Sequence, residues 1–152
     1  MILNTGTEII IAATSGALIA QLLKIIFYCI KHKRINFKIV TTTGGMPSSH
    51  SAFVVALTTS VGLILGFKSV EFAIALGYAM IVMYDAAGLR RSAGKMASVL
   101  NKVVDEIYAF KRRPSHASEK LMELLGHTPI EVLVGGILGS FISYGLHYYL
   151  LK

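Results

Sequence analysis

The feature that most restricts this chain is a set of four long apolar stretches, Ile9 to Ile30, Ala52 to Phe67, Val70 to Ala87 and Ile130 to Leu151. A helix needs about 20 mostly apolar residues to cross a bilayer, so the first and last are long enough, and the middle two are either short spans or core helices. Of 152 residues, 54% are hydrophobic and 15% charged, a balance that belongs to a membrane protein and leaves room for one domain, 1–152. The expected fold is an all-α polytopic membrane helix bundle, with about four transmembrane helices and an amphipathic interfacial helix.

The first 23 residues hold no Lys or Arg, and the apolar run begins at Ile9, so the N-terminus reads as a retained span rather than a cleaved leader. A lone Cys29 excludes an internal disulfide and any cysteine-based metal cluster. The net charge of +7 does not point to nucleic acid, because the basic residues lie in blocks between apolar segments without a nucleic-acid motif. Lys31, Lys33, Arg34 and Lys38 fall between the first two stretches, and Arg90, Arg91, Lys95, Lys102 and further basic residues fall between the third and fourth. If all four segments cross, the positive-inside rule puts both loops in the cytoplasm and both termini outside.

Within the long loop, Met96, Val99, Leu100, Val103, Val104, Ile107 and Phe110 recur at three- and four-residue spacing, the pattern of an amphipathic helix lying against the membrane or the bundle. Its polar face, with Asn101, Lys102, Asp105 and Glu106, reads as solvated surface. After Arg113-Pro114 the apolar pattern resumes at Leu121, Leu124 and Leu125 and ends at Gly126.

Three constellations carry candidate chemistry. In Thr43-Gly44-Gly45-Met46-Pro47-Ser48-Ser49-His50, Gly45 lets the backbone approach a ligand. The N–H groups from Ser48 to Ser51 would stand unpaired at a helix start that attracts phosphate. Ser48 and Ser49 add hydroxyl donors, and His50 can give a proton near neutral pH. The same residues also describe an ordinary serine-capped helix. In Gly126-His127-Thr128-Pro129-Ile130-Glu131, His127 and Glu131 stand four apart. The carboxylate can then hold one ring nitrogen and leave the other to attack phosphorus. Thr128, Pro129 and Glu131 equally describe a capping box, and one carboxylate can serve both purposes. In Tyr84-Asp85-Ala86-Ala87-Gly88-Leu89-Arg90-Arg91, Asp85 is an acidic group at the edge of a span, while Arg90 and Arg91 are either anchors or phosphate ligands. Lys24, within the first span, is either a snorkelling cation or a further ligand.

All of these fall on the one side that the basic loops define. Two histidines among cationic clamps fit phosphoryl transfer through a phosphohistidine without metal or other cofactor. A metal site would want more carboxylates or a compact histidine cluster.

At these residues the chain resembles the short divergent branch of the phosphatidic acid phosphatase and vanadium haloperoxidase superfamily. Four segments carry the resemblance in order: Gly44 to Ala52, Ile81 to Ala86, Arg90-Arg91 and Leu124 to Pro129. Pro47-Ser48-Ser49-His50 matches the superfamily's Pro-Ser-Gly-His, with serine for glycine, and the resemblance makes His50 the general acid. His127 fits the nucleophile and Glu131 the carboxylate four residues on, with Glu in place of Asp. Lys24 and Lys31 hold the seven-residue spacing of the first motif, without its Arg-Pro pair. The superfamily's arginine six residues before the nucleophile falls here on Leu121, so Arg90 or Arg91 would have to serve from another helix. Arg113-Pro114-Ser115-His116 echoes motif fragments and reads as a decoy in a polar loop.

The resemblance implies a hydrolase of lipid phosphate monoesters or diphosphates: phosphatidylglycerophosphate, phosphatidic acid or a polyprenyl diphosphate. The alternative is a non-enzymatic membrane protein that binds or helps transport lipid phosphates with the same pocket. Partners expected are the bilayer and the phosphorylated lipid, with no nucleic acid and with a homo-oligomer left open.

Overall fold

The computed structural model describes residues 5–33, 45–110, 121 and 126–150. Five helices form among them: α1 (Thr5–His32), α2 (Ser49–Leu65), α3 (Val70–Ala87), α4 (Leu89–Phe110) and α5 (Pro129–Leu150). The sequence places their ends. Ser48 caps α2 by accepting from the Ser51 N–H, and Gly66, at φ 93°, closes that helix in a backbone region that favours glycine. Ser69 caps α3 by accepting from the Phe72 N–H at 3.1 Å. Gly88 alone separates α3 from α4.

Helices α1, α3 and α5 include the segments long and apolar enough to cross a membrane, while α2, at 17 residues, is shorter. The two short apolar stretches therefore have different places. The central helix is α2, which packs against α1, α3 and α5, whereas α3 is peripheral and exposes Val70, Ile74, Met80 and Ile81. Large side chains facing outward are what a lipid environment permits.

Close packing around α2 rests on small residues. Gly135 and Gly139 of α5 run along the face of α2 that carries Ser48, Ala52 and Ala56; a methyl group on either glycine would collide with a backbone carbonyl oxygen, of Ser48 and Ala52 respectively. From the other side, a methyl on Gly16 of α1 would come within 3.0 Å of the Ala52 carbonyl oxygen. Apolar solvation gives little force between helices in lipid, so such small-residue seams, which maximise van der Waals contact, are how membrane helices associate. Farther along the same seam, the buried hydroxyls of Ser60 and Ser143 hydrogen-bond at 2.7 Å. At the far end, Glu8 of α1 meets His147 of α5 at 2.7 Å and ties the start of the first helix to the end of the last.

Helix α4 makes its helix contacts with α3, so the bundle leaves its apolar stripe of Met96, Val99, Leu100, Val103 and Ile107 exposed. One expectation for this helix needs correction. Asn101 is not solvated surface: it is 8% exposed, its amide N–H donates to the Leu121 carbonyl at 2.9 Å, and its side-chain oxygen accepts from the Leu121 N–H at 3.0 Å. Gly94 and Ala97, on the same helix face as Asn101, are buried as well. The segments around Leu124 and around Arg113 to His116 lie outside the described residues.

Candidate functional site

Alternate traversal brings the C-terminal part of α1, the start of α2, the end of α3 and the start of α5 to one end of the bundle. The starts of α2 and α5 are joined directly: the Ser48 N–H donates to the Glu131 carbonyl at 3.1 Å. The stretch before α5 is anchored to α3, because the His127 N–H donates to the Ala86 carbonyl at 2.9 Å. Gly126 makes that docking feasible. It sits at φ 85° and lies so close to the Arg90–Arg91 backbone that any side chain would strike it.

His127 is the most enclosed ionisable group of the site, at 2% exposure. Its Nδ1 lies 3.2 Å from Glu131 Oε2, and the same oxygen accepts from the Thr128 N–H at 3.1 Å. Thr128 Oγ1 in turn accepts from the Glu131 N–H at 3.4 Å. The capping box and the histidine–carboxylate pair are thus one arrangement rather than rival ones, and the carboxylate caps α5 while it holds the ring. A carboxylate beside Nδ1 favours the tautomer that carries the proton there, which leaves a lone pair on Nε2. Nε2 is buried and has no hydrogen-bond partner among the described residues, a condition rare enough in folded proteins to point to function. Burial holds the imidazole pKa below its ordinary value; the Glu131 hydrogen bond opposes this, and the charge of Lys24 reinforces it.

His50 stands beside this ring. Their centroids are 6.1 Å apart and their planes cross at 63°, edge to face, so that both imidazoles are within reach of one phosphorus-sized centre. Lys24 is 4% exposed, and its charge acts on Glu131, His127 and His50. Its stem runs past Gly45, where a Cβ would touch Cγ and Cδ at 3.4 Å, and Gly45 itself holds φ 99°. Buried near Glu131 and the two imidazoles, Lys24 is an interior cation rather than a snorkelling one. On the other side Asp85 Oδ2 accepts from Arg90 Nε at 2.8 Å, and both charges act on His50. That bond leaves the two terminal nitrogens of the Arg90 fork for another acceptor.

The structure therefore brings together His127, His50, Glu131, Lys24, Gly45, Asp85 and Arg90. Ser48 is at the site in a different capacity. It is fully buried, its N–H is taken by Glu131, and its hydroxyl accepts from the Ser51 N–H and hydroxyl, so two N–H groups expected to be unpaired have partners within the protein. Ser49 and His50 remain as the first two helical residues of α2, whose N–H groups have no intrahelical acceptor. Arg91 meets the site loop through its backbone, and its side chain is exposed. Lys31 lies in the last turn of α1, with its side chain outside the described residues. Sequence reasoning missed the Ala86 carbonyl, which holds the His127 N–H, and Asn101, which holds the backbone of Leu121. The signal for Asn101 was its alignment with Gly94 and Ala97, two small residues on one helix face.

Fold and site together define a polytopic helical membrane protein with a paired-histidine pocket at one end of its bundle. The chain belongs to the Divergent PAP2 family, whose profile matches residues 5–142. It is 40% identical over 148 residues to the "Uncharacterized membrane protein YuiD" of Bacillus subtilis (strain 168), an alignment covering 92% of this chain and 94% of that one. No solved structure matches the chain significantly.

Proposed function

We propose that the protein is a lipid-phosphate phosphatase that works through a phosphohistidine on His127. The observation that carries this reading is the buried, unpartnered Nε2 of a ring held by Glu131 through its other nitrogen and faced by a second histidine. The Nε2 lone pair attacks phosphorus and forms an N–P bond. The P–O bond to the lipid breaks, and its electron pair stays on the lipid oxygen, which takes a proton from His50. Water then attacks the phosphohistidine, gives its proton to His50 and releases inorganic phosphate with the His127 lone pair restored. Lys24 and Arg90 offset the charge on the phosphoryl oxygens, which is where cationic groups lower the barrier most. Asp85 orients Arg90.

We place the site on the cytoplasmic side, with both termini outside, from the distribution of basic residues. Lipids phosphorylated on that leaflet, such as phosphatidylglycerophosphate and phosphatidic acid, are the expected substrates, with polyprenyl diphosphates next. A reporter fused to the C-terminus should report an external location, and a cytoplasmic signal would overturn the orientation. One observation favours a binding module instead: Leu121 occupies the position of the superfamily's arginine, and Arg90 is already engaged by Asp85. Phosphate release by the purified protein decides between the two. His127→Ala should abolish turnover, and His50→Ala should reduce it by about 10²–10⁴-fold. Undiminished turnover in both variants would sink the mechanism, and tight lipid-phosphate binding by the wild type without turnover would establish the binding module.

A further inference from the structure

His50 has a second surroundings that the chemistry above does not use. It also lines a cleft of about 270 Å³ that lies between α1, α2 and α3. Its walls are Ala17 of α1, Phe53 and Val54 of α2, and Tyr78 and Val82 of α3, while the polar residues Ser49 and His50 stand at one end. The depth of the cleft follows from the helices. Ala17 lies seven residues before Lys24, and Tyr78 seven before Asp85, so on both helices the cleft reaches about 10 Å below the charged groups of the site. Because α1 and α3 include membrane-length apolar segments, that depth is hydrocarbon depth. Water gains nothing there, and the wall is apolar along its length.

We infer that this cleft takes the hydrocarbon chain of the lipid whose phosphate lies at the His127–His50 pair, and that Ala17, Tyr78 and Val82 set which chains fit. Its occupant is identified by continuity. A molecule with a phosphate at the histidines and an apolar chain at its ester oxygen must pass His50, and the cleft begins at that residue. The inference rests on the lipid-phosphate reading of the site and adds the place of the tail, through which the protein distinguishes a lipid phosphate from a soluble phosphate ester. Acyl and prenyl chains share this chemistry.

The test uses the full-length protein in lipid nanodiscs, with a phosphatidic acid that carries a photoactivatable diazirine midway along one acyl chain. Irradiation should label Phe53 or Val82, and excess long-chain phosphatidic acid should suppress the label while neutral diacylglycerol should not. Suppression by a polyprenyl phosphate at lower concentration would assign the chain as prenyl rather than acyl. In parallel, Ala17→Phe and Val82→Phe, which narrow the cleft, should lower the ratio of kcat/KM for dioleoyl over dihexanoyl phosphatidic acid at least tenfold. Label spread over the outward-facing residues Ile74 and Ile137 would overturn the inference, as would an unchanged ratio in variants that still turn over the short-chain substrate. The two readings fail separately. Cleft labelling without wild-type turnover removes the phosphatase and keeps the tail site, whereas turnover without cleft labelling removes the tail site alone.

Discussion

Glu131 gives one oxygen to two duties, capping α5 and holding His127, and two substitutions separate them. Thr128→Ala removes the reciprocal half of the cap. That hydrogen bond is long, at 3.4 Å, so the loss belongs near the lower half of the range of about 0.5–2 kcal/mol for such caps. For a chain of this size a loss of about 1 kcal/mol lowers Tm by roughly 2–4 °C. The carboxylate and the ring are untouched, and phosphate release should stay within about threefold, since no group at the reacting atoms has changed. Glu131→Gln is the converse. Its amide oxygen can still accept from the Thr128 N–H, so Tm should move by less than about 1 kcal/mol equivalent. With that oxygen in the place of Oε2 it also still accepts from Nδ1, so the ring keeps its orientation and loses only the negative charge that strengthens the bond and supports the ring when it bonds phosphorus. Catalysis should fall by roughly tenfold, the difference of about 1–1.5 kcal/mol between a charge-assisted and a neutral hydrogen bond. Thermal unfolding in detergent and phosphate release from phosphatidic acid measure the two effects on the same preparations. If Glu131→Gln keeps turnover within threefold, or if Thr128→Ala loses as much activity as it does, the carboxylate is a helix cap and nothing more.

The small-residue seam makes a second prediction: Gly139→Ala should destabilise the bundle by about 1–3 kcal/mol because its methyl meets the Ala52 carbonyl, whereas Gly145→Ala, which meets nothing within 4 Å, should be neutral or stabilising in detergent melts. The Ser60–Ser143 hydrogen bond should show a coupling of about 0.6 kcal/mol in a double-alanine cycle, the usual size inside membranes, and no coupling would mean the hydroxyls find other partners. A third concerns pH. His127 has a folded pKa below its unfolded value near 6.5, so the unfolded state binds more protons just under that pH. Stability should therefore be complete above about pH 6.5 and should decline as pH falls through the window beneath it; His127→Gln should flatten that part of the slope between about pH 5 and 8.

Much of this fold was legible because membrane helices must be long and apolar, and the runs beginning at Ile9 and Ile130 met that requirement in the sequence itself, while the run beginning at Val70 read as short. Which short stretch would be central was not legible from hydropathy. It follows from Ala52, Ala56, Gly135 and Gly139, whose small size matters only once two backbones approach. The site was readable where chemistry and local structure coincide, as at His127 and Glu131, four residues apart at a helix start. Lys24 was ambiguous, since an isolated lysine in an apolar run looks the same whether it snorkels or turns inward; only the neighbouring Gly45 and Glu131 decide. For Ser48 the sequence offered an unpaired N–H at a helix start, while here the Glu131 carbonyl takes that N–H and the hydroxyl oxygen accepts from the Ser51 N–H. Asn101 was missed because a polar residue on a polar face carries no mark of the chain that will pair with it.

The glycine seam has a consequence for the chemistry as well as for the packing. His50 stands at the second position of α2, and His127 two residues before α5, so each ring travels with its helix. Gly135 touches the backbone of Ser48, two residues from His50, and therefore sets how near the two helix starts can come. The 6.1 Å between the imidazoles is in this sense a calibrated spacing, set from within the bundle rather than at the pocket. A single methyl group added on the bilayer side could push the rings apart without altering any residue that meets the substrate. Substitutions along Gly135, Gly139 and Gly16 would then change the spacing of the two histidines with every side chain of the pocket left in place.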